Sequence, residues 1–260
     1  MDKYGLIGYP LGHSFSIGYF NEKFKNEGID AKYINFEIPS IEDFPEILAS
    51  NTDLKGLNVT IPYKEKVIDY LDSLSPEAKA IGAVNVIRVT HKDNKVILKG
   101  FNSDVIGFTK SIEPILESYH KKALILGTGG ASKAIDYGLK SLGLETLFVS
   151  RSNKPNAIQY KDVTTDTVKE YNVIVNCTPL GMYPHADSCP QLPYEAMDNH
   201  TLLYDLIYNP DETLFMKKGL EHSATVKSGL EMLLLQAFAS WEFWHGNELS
   251  RFTILNLSNH

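Results

Sequence analysis

Short apolar runs alternate with segments of helical period along most of the chain. A run at residues 4–8 leads to a helical pattern at 17–27, and a run at 33–38 leads to another at 41–50. A third run, 56–61, precedes a segment that starts near Tyr63. This alternation predicts an α/β architecture with mostly parallel strands. Residues 83–90 and 95–100 break the rhythm. They flank His91-Lys92-Asp93-Asn94, and Asp93-Asn94 between β-branched runs predicts a hairpin turn.

From 103 to 119 apolar residues recur at helical spacing, at Val105, Ile106, Phe108, Ile112, Ile115 and Leu116. The alternation then restarts. Residues 121–143 read as strand, glycine turn and helix, and 146–151, 173–178 and 202–208 read as further short buried strands. Such spacing fits an open parallel sheet. Residues 228–246 form a strongly apolar helical pattern. Two lobes are expected, joined near 101–104.

Composition narrows the class. The 260 residues are 43% hydrophobic and 22% charged, as in a globular protein with a substantial core. A formal charge of −7 argues against general affinity for nucleic acid, while leaving room for a local phosphate pocket. Cys177 and Cys189 have neither metal-ligand spacing nor a disulfide framework, so reduced thiols and no metal are expected. The longest apolar stretch, 230–244, is interrupted by Glu231, Gln236 and Glu242. With no leader pattern at the N-terminus, a cytoplasmic protein without membrane contact is expected.

The glycine turn LILGTGGAS places Gly127, Gly129 and Gly130 between a buried strand and a helix. Glycines there permit a tight bend and close approach of backbone to pyrophosphate, whose charge meets the helix N-terminus. Ser132 stands where a third glycine of the dinucleotide fingerprint would fall. A plain strand-to-helix turn is the structural alternative. An NAD site usually ends the next strand in a carboxylate about 20 residues on. Here that strand ends in Ser150-Arg151-Ser152, followed by Asn153-Lys154. A guanidinium pairs with a 2′-phosphate that a carboxylate would repel, so NADP is expected.

Polar residues also cluster in three motifs of the first lobe. NVTIPYKEKV carries Asn58, Thr60 and Lys64, IGAVNVI carries Asn85, and GFNSDVIGF carries Asn102 and Asp104. Each has a structural alternative: a strand threonine, a surface lysine, a core amide, a helix-capping aspartate. Together they supply a proton-donating ammonium, a carboxylate to set its charge, and hydroxyl and amide groups to orient a polyol. At the front of the chain, GYPLGHSFS presents Ser14 and Ser16 after Pro10 and Gly12. On an extended backbone both hydroxyls point the same way, although Ser16 could instead cap the helix. A serine pair can bind a carboxylate without a neighbouring cation that would lower the pKa of Lys64.

These motifs, with VNCTPLGM, YDLIYNP and SGLEMLLLQA, stand in an order that resembles the shikimate dehydrogenases, over nearly the whole chain. The resemblance implies a substrate-binding domain over 1–103, completed by helices within 230–260, and a Rossmann-like NADP-binding domain over 104–229, with a cleft that opens and closes. It implies reversible NADPH-dependent reduction of 3-dehydroshikimate to shikimate, a step toward aromatic amino acids. By it, Ser14 and Ser16 hold the substrate carboxylate. Thr60, Asn85, Asp104 and Gln236 bond the ring hydroxyls, with Tyr208 nearby, and Lys64 and Asp104 form the catalytic pair. Gly127, Thr128, Gly129, Gly130, Ala131 and Ser132 cradle the pyrophosphate. Arg151, with Ser150, Ser152 and Lys154, takes the 2′-phosphate, while Thr178, Leu206 and Gly229 line the nicotinamide half, with Met232 a further candidate.

The chain departs from the family pattern at two points: Ser150-Arg151-Ser152 replaces Asn-Arg-Thr, and Ile17 replaces a common proline. His13 is expected to make a structural hydrogen bond, and loop 182–190, with His185 and Cys189, carries no assigned chemistry. A quinate/shikimate dehydrogenase of broader substrate and cofactor use is the nearest rival. A non-catalytic regulator on the same scaffold is a second, though it would be expected to lose the Lys–Asp pair. Both a monomer and a homodimer fit.

Overall fold

A computed structural model describes residues 1–12, 14–93 and 95–247; His13, and Asn94 of the hairpin turn, lie outside the described residues. The chain divides into two compact units: Met1–Ser103 together with the chain from Ala237 onward, and Asp104–Gln236.

In the first unit the leading apolar run becomes β1 (Asp2–Gly8), followed by α1 (Phe15–Glu27), β2 (Ala31–Glu37), α2 (Phe44–Ser50) and β3 (Leu54–Val59). Then come β4 (Ser73–Leu74), α3 (Pro76–Ile81), β5 (Val86–Lys92) and β6 (Lys95–Phe101). α1 stops at Gly28, whose φ of 66° lets its N–H turn back to the carbonyls of Phe24 and Lys25. The sheet order is β2-β1-β3-β5-β6-β4. β1 runs parallel to β2 and β3, but β3–β5 and β5–β6 are antiparallel. β4 runs parallel to β6, so the sheet is parallel-rich, and only β5 is antiparallel to its neighbours, because the β5–β6 hairpin reverses the chain within a tight turn. The segment after Tyr63 forms a 3-10 helix, Lys66–Tyr70.

Period-two alternation along β1 sends Ile7 to one face and Tyr4 to the other. Ile7 joins Phe44, Leu54, Leu57 and Ile87 in an apolar core. Tyr4 packs with Phe24, Trp241 and Trp244, and Phe20 stacks on Tyr33. Gly56 makes room for this aromatic layer, since a Cβ there would fall 2.2 Å from Cδ1 of Trp244.

The second unit comprises α4 (Asp104–Ile112), β7 (Lys122–Leu126), α5 (Gly130–Ser141), β8 (Glu145–Ser150), β9 (Ala157–Gln159) and α6 (Thr165–Glu170). It continues with β10 (Val173–Asn176), β11 (Leu202–Asp205), α7 (Leu214–Leu220), β12 (Thr225–Lys227) and the first residues of α8 (Leu230–Trp244). Its sheet has the order β12-β11-β10-β7-β8-β9, and every neighbouring pair is parallel. Short strands with apolar centres suit it because both faces are covered, one by a core containing Leu124, Val149 and Phe215, the other by one containing Ile125, Val175 and Tyr204.

Several elements are shorter than their patterns predict, β10 among them, which ends at Asn176. α4 gives way after Ile112 to a 3-10 turn, Glu113–Ile115, because Pro114 lacks the N–H that would extend the ladder. β11 ends at Asp205, so Leu206–Tyr208 leave the sheet as a loop. The last apolar helix spans Leu230–Trp244 rather than 228–246. None of the described helices is long and apolar enough to cross a membrane.

Candidate functional site

In the second unit, Gly127 follows β7, Ser150 ends β8, Thr178 follows β10, Leu206 follows β11 and Gly229 follows β12. All five therefore fall at the carboxyl ends of parallel strands. The chain first moves from β7 outward to β8 and then crosses to β10 on the other side of β7, making β7/β10 the topological switch point where open α/β sheets bind ligands. Gly127 adopts φ 105° there, and a Cβ on it would lie 3.2 Å from Cγ2 of Thr178. Gly129 precedes α5, is exposed, and would meet nothing within 4 Å if it carried a Cβ. The turn thus exposes bare backbone at the start of a 12-residue helix whose first N–H groups lack helical partners. That suits a pyrophosphate.

Ser132 lies in the first turn of α5. It is buried, and its hydroxyl donates to the Gly129 carbonyl at 2.6 Å, so it braces the turn from within and has only its backbone N–H to offer an anion. Ser150 is also buried, and its Oγ accepts from the Ser152 N–H. Arg151 and Lys154 are exposed, and Lys154 Nζ donates to Thr128 Oγ1 at 2.9 Å, tying the loop after β8 to the glycine turn. Residues 150–154 contain no carboxylate. Both the cradle and the cationic edge fit a dinucleotide that carries a 2′-phosphate.

The opposite flank is held by a buried pair that motif reading did not single out. Asn176 Nδ2 donates to Asp205 Oδ1 at 3.0 Å, and Asn176 Oδ1 accepts from both the N–H and the hydroxyl of Thr178. Asp205 also accepts from the Ile207 N–H and the Thr213 hydroxyl. Thr178 and the loop Leu206–Tyr208 are thereby fixed from below. The sequence signal was a carboxylate in an otherwise apolar strand, a residue type rarely buried without partners. Burial pushes the Asp205 carboxyl up to about 6, against the opposing bonds from Thr213, Ile207 and Asn176. The folded chain then keeps a proton that the unfolded chain releases near 3.8. This contribution to stability is full below that value and is lost as pH rises through about 6, a change of about 3 kcal/mol. Asp205→Asn is expected to remove it, so the difference in unfolding free energy between the two proteins should fall by about that amount from pH 4 to 7. A pH-independent difference in urea titrations would contradict this.

Gly229 packs tightly against that loop. Its N–H donates to the Ile207 carbonyl, and a Cβ would lie 2.2 Å from the Leu206 carbonyl oxygen. Gly229→Ala is expected to displace the start of α8 or the loop, costing about 1–3 kcal/mol and weakening nucleotide binding. Thermal denaturation with and without NADP checks both effects. On the same unit, α4 and α8 approach closely at Gly107, where a Cβ would lie 2.5 Å from the Met232 carbonyl oxygen and 3.0 Å from Cβ of Gln236. This places Asp104, one turn before Gly107, and Gln236 on adjoining helices. Tyr208 is half-buried in its loop, and burial raises its phenol pKa.

In the first unit, Thr60 continues β3, its N–H bonded to the Ile7 carbonyl, and the Lys64 carbonyl accepts from Val84 N–H at 2.7 Å. Lys64 is thereby attached to the segment that carries Asn85. Asn85 is buried, and both ends of its amide are engaged by Ser103: Oδ1 accepts from the N–H and Nδ2 donates to Oγ. Ser14 is the residue before α1, with extended backbone and a side chain that makes no capping bond. Ser16 lies inside the first turn of α1, so the expectation of two hydroxyls aligned along an extended chain does not hold. Both serines stand instead at the N-terminus of a 13-residue helix, where its N–H groups favour an anion. In loop 182–190, Ser188 Oγ accepts from Gly181 N–H, His185 is exposed, and Cys189 is buried in the core. Among the described residues no group of His, Cys, Asp or Glu could hold a metal ion.

Comparison with known proteins decides the family. Residues 6–87 match the shikimate dehydrogenase substrate binding domain. A shikimate dehydrogenase (NADP(+)) of Clostridium beijerinckii is 38% identical over 261 residues, covering 96% of this chain and 94% of that protein. One from Carboxydothermus hydrogenoformans is 37% identical over 259 residues, 93% of this chain and 91% of the relative. This chain belongs to the shikimate dehydrogenase family. The family's architecture is also seen in a shikimate 5-dehydrogenase of Thermus thermophilus solved with NADP(H) and shikimate, which aligns with a TM-score of 0.81 at 28% identity over 97% of this chain and 96% of that one. The two-sheet α/β architecture described above, one sheet Rossmann-like, is the architecture of the shikimate dehydrogenase family.

Proposed function

We propose that this chain catalyses the reversible, NADP-dependent interconversion of 3-dehydroshikimate and shikimate, a reaction at a ring CH–OH. The observation that carries this reading is the carboxyl edge of the parallel sheet, where the glycine turn, Arg151 and Lys154 lie together without a carboxylate. In a chain related over nearly its whole length to NADP-dependent shikimate dehydrogenases, this chemistry assigns the cofactor.

The N–H groups of Thr128, Gly129, Gly130, Ala131 and Ser132 serve the pyrophosphate. Arg151, Ser152 and Lys154 take the 2′-phosphate, with Ser150 shaping the loop from beneath. Thr178, Leu206 and Gly229 flank the nicotinamide half, and Met232 supports it from α8. When bound, the nicotinamide supplies or accepts the hydride. Ser14 and Ser16 hold the substrate carboxylate by hydroxyl donors at the start of α1, aided by its dipole. Thr60, Asn85, Asp104 and Gln236 orient the ring hydroxyls, with Tyr208 beside them. Protonated Lys64 gives its proton to the carbonyl oxygen as that oxygen gains charge, and neutral Lys64 takes it back in the oxidative direction. The Asp104 carboxylate favours the charged lysine and fixes its direction. The division of labour is a substrate-binding domain over 1–103 with the C-terminal helix, and an NADP-binding domain over 104–229. A cytosolic enzyme, monomeric or homodimeric, fits this reading.

The test is to follow NADP reduction with shikimate and with quinate side by side. NADPH formation with shikimate is expected. No reaction with shikimate refutes the proposal, and equal efficiency with quinate replaces it by the broader quinate/shikimate activity.

A further inference from the structure

The first unit contains a continuous buried chain of polar side chains that ends on Asn85 and whose other members, Tyr33, Asn58, Ser240 and Ser103, the assignments above do not use. Tyr33 on β2, fully buried and stacked on Phe20 with centroids 4.9 Å apart, donates its phenol hydrogen to Asn58 Oδ1 at 2.8 Å. Its main chain is tied to α1 through Asn21, whose side chain accepts from Tyr33 N–H and donates to its carbonyl. Because the phenol hydrogen occupies Asn58 Oδ1, the amide nitrogen of Asn58 faces the other way, donating to Ser240 Oγ at 3.0 Å and the Asn85 carbonyl at 3.3 Å. Ser240 meets Ser103 Oγ at 3.1 Å. Ser103 in turn holds both ends of the Asn85 amide, its N–H to Oδ1 at 2.6 Å and its Oγ from Nδ2 at 2.9 Å.

The polarity of this chain is fixed at its Asn85 end. A backbone N–H can only donate, so Ser103 N–H requires the carboxamide oxygen of Asn85 to face it and the nitrogen to face Ser103 Oγ. Asn85 therefore presents one of its two amide orientations and not the reverse. The residues from Tyr33 to Ser103 are all at most 7% exposed, so each hydrogen bond is made where losing a partner is costly. Fold stability alone would be served as well by apolar side chains of similar shape in these places.

We propose that Ser103 is a positioning residue that sets the amide orientation of Asn85 toward the substrate ring, and that Ser240, Asn58 and Tyr33 hold Ser103 in place. This rests on the reading that Asn85 bonds a ring hydroxyl. Ser240 comes from the C-terminal helix and Tyr33 from the second strand, so distant parts of the sequence converge on one polar contact.

Steady-state kinetics and thermal denaturation of Asn85→Ala, Ser103→Ala, Ser240→Ala and the double variant Ser103→Ala/Asn85→Ala test it. Asn85→Ala is expected to raise KM for shikimate about tenfold; Ser103→Ala keeps the N–H on Oδ1 but removes the Oγ that accepts from Nδ2, which loosens that end of the amide and is expected to raise it about 3–10-fold, with KM for NADP unchanged in both. The double variant is expected to bind shikimate no worse than Asn85→Ala alone, since Ser103 acts through Asn85. Ser240→Ala is expected to raise the shikimate KM in the same direction by a smaller factor. If Ser103→Ala lowers Tm but leaves the shikimate KM unmoved while Asn85→Ala raises it, the network is merely structural and the proposal falls while the reading of Asn85 stands. Additive effects in the double variant overturn it as well. An unchanged KM in Asn85→Ala removes the ring contact and the proposal with it. Should Ser103→Ala fail to fold, Ser240→Ala and Tyr33→Phe carry the same cycle against Asn85→Ala, with the same outcomes.

Discussion

Lys64→Ala is expected to lose turnover by about two to four orders of magnitude while remaining folded. The loss should fall on kcat, because the ammonium is needed when negative charge develops on the reacting oxygen, whereas the carboxylate and the other hydroxyls are bound by different side chains. Folding should survive because Lys64 is only half-buried and its link to the sheet is a main-chain bond, carbonyl to Val84 N–H, which alanine preserves. Circular dichroism and Tm close to those of the unmodified enzyme, with single-turnover rates reduced a hundredfold or more, are the result to look for. A folded variant with near-normal turnover would assign proton transfer elsewhere. Lys64→Arg separates charge from proton transfer, because a guanidinium keeps the charge yet does not release its proton near neutrality.

Arg151→Ala is expected to raise KM for NADPH about 10–100-fold and leave KM for NADH nearly unchanged. The 2′-phosphate carries the charge that distinguishes the two cofactors, and a guanidinium meets it with paired donors. Lys154 persists in the variant as a point charge anchored on Thr128 Oγ1, which sets the upper end of the loss. The ratio of kcat/KM for the two cofactors is the measurement. A ratio unmoved by Arg151→Ala would remove the guanidinium from cofactor choice, whatever the rate with either cofactor.

The fold was legible where pattern alone decides structure. The alternation of apolar runs and helical periods, the hairpin around Asp93 and the glycine turn after 122–126 all correspond to described elements. What escaped depended on tertiary context. The antiparallel pairing of β3 with β5 follows from the hairpin docking on β3, which no local period encodes. Ser16 was read on an extended backbone, yet the helix begins one residue earlier. The buried supports were harder still. Tyr33 and Ser240 sit in stretches that read as ordinary strand and ordinary apolar helix, and their function as hydrogen-bond links appears only when residues 182 positions apart, Asn58 and Ser240, meet. Asn176 and Asp205 are a similar case, spaced 29 apart and joined only across neighbouring strands.

The first unit is assembled from both sides of an insertion, and this has a consequence for biosynthesis. Its aromatic layer packs Trp241 and Trp244 against Tyr4 and Phe24, and Gly56 leaves a space that the indole of Trp244 fills. The ribosome delivers those tryptophans after the whole second unit. At about 5–20 residues per second, the N-terminal strands wait on the order of ten seconds with the Tyr4 face covered by α1 but not by the tryptophans. The second unit, contiguous in sequence, has all its strands in hand by then. A nascent chain stalled before residue 237 should therefore hold a protease-resistant second unit beside a protease-sensitive first one. The order of maturation is thus the reverse of the order of synthesis.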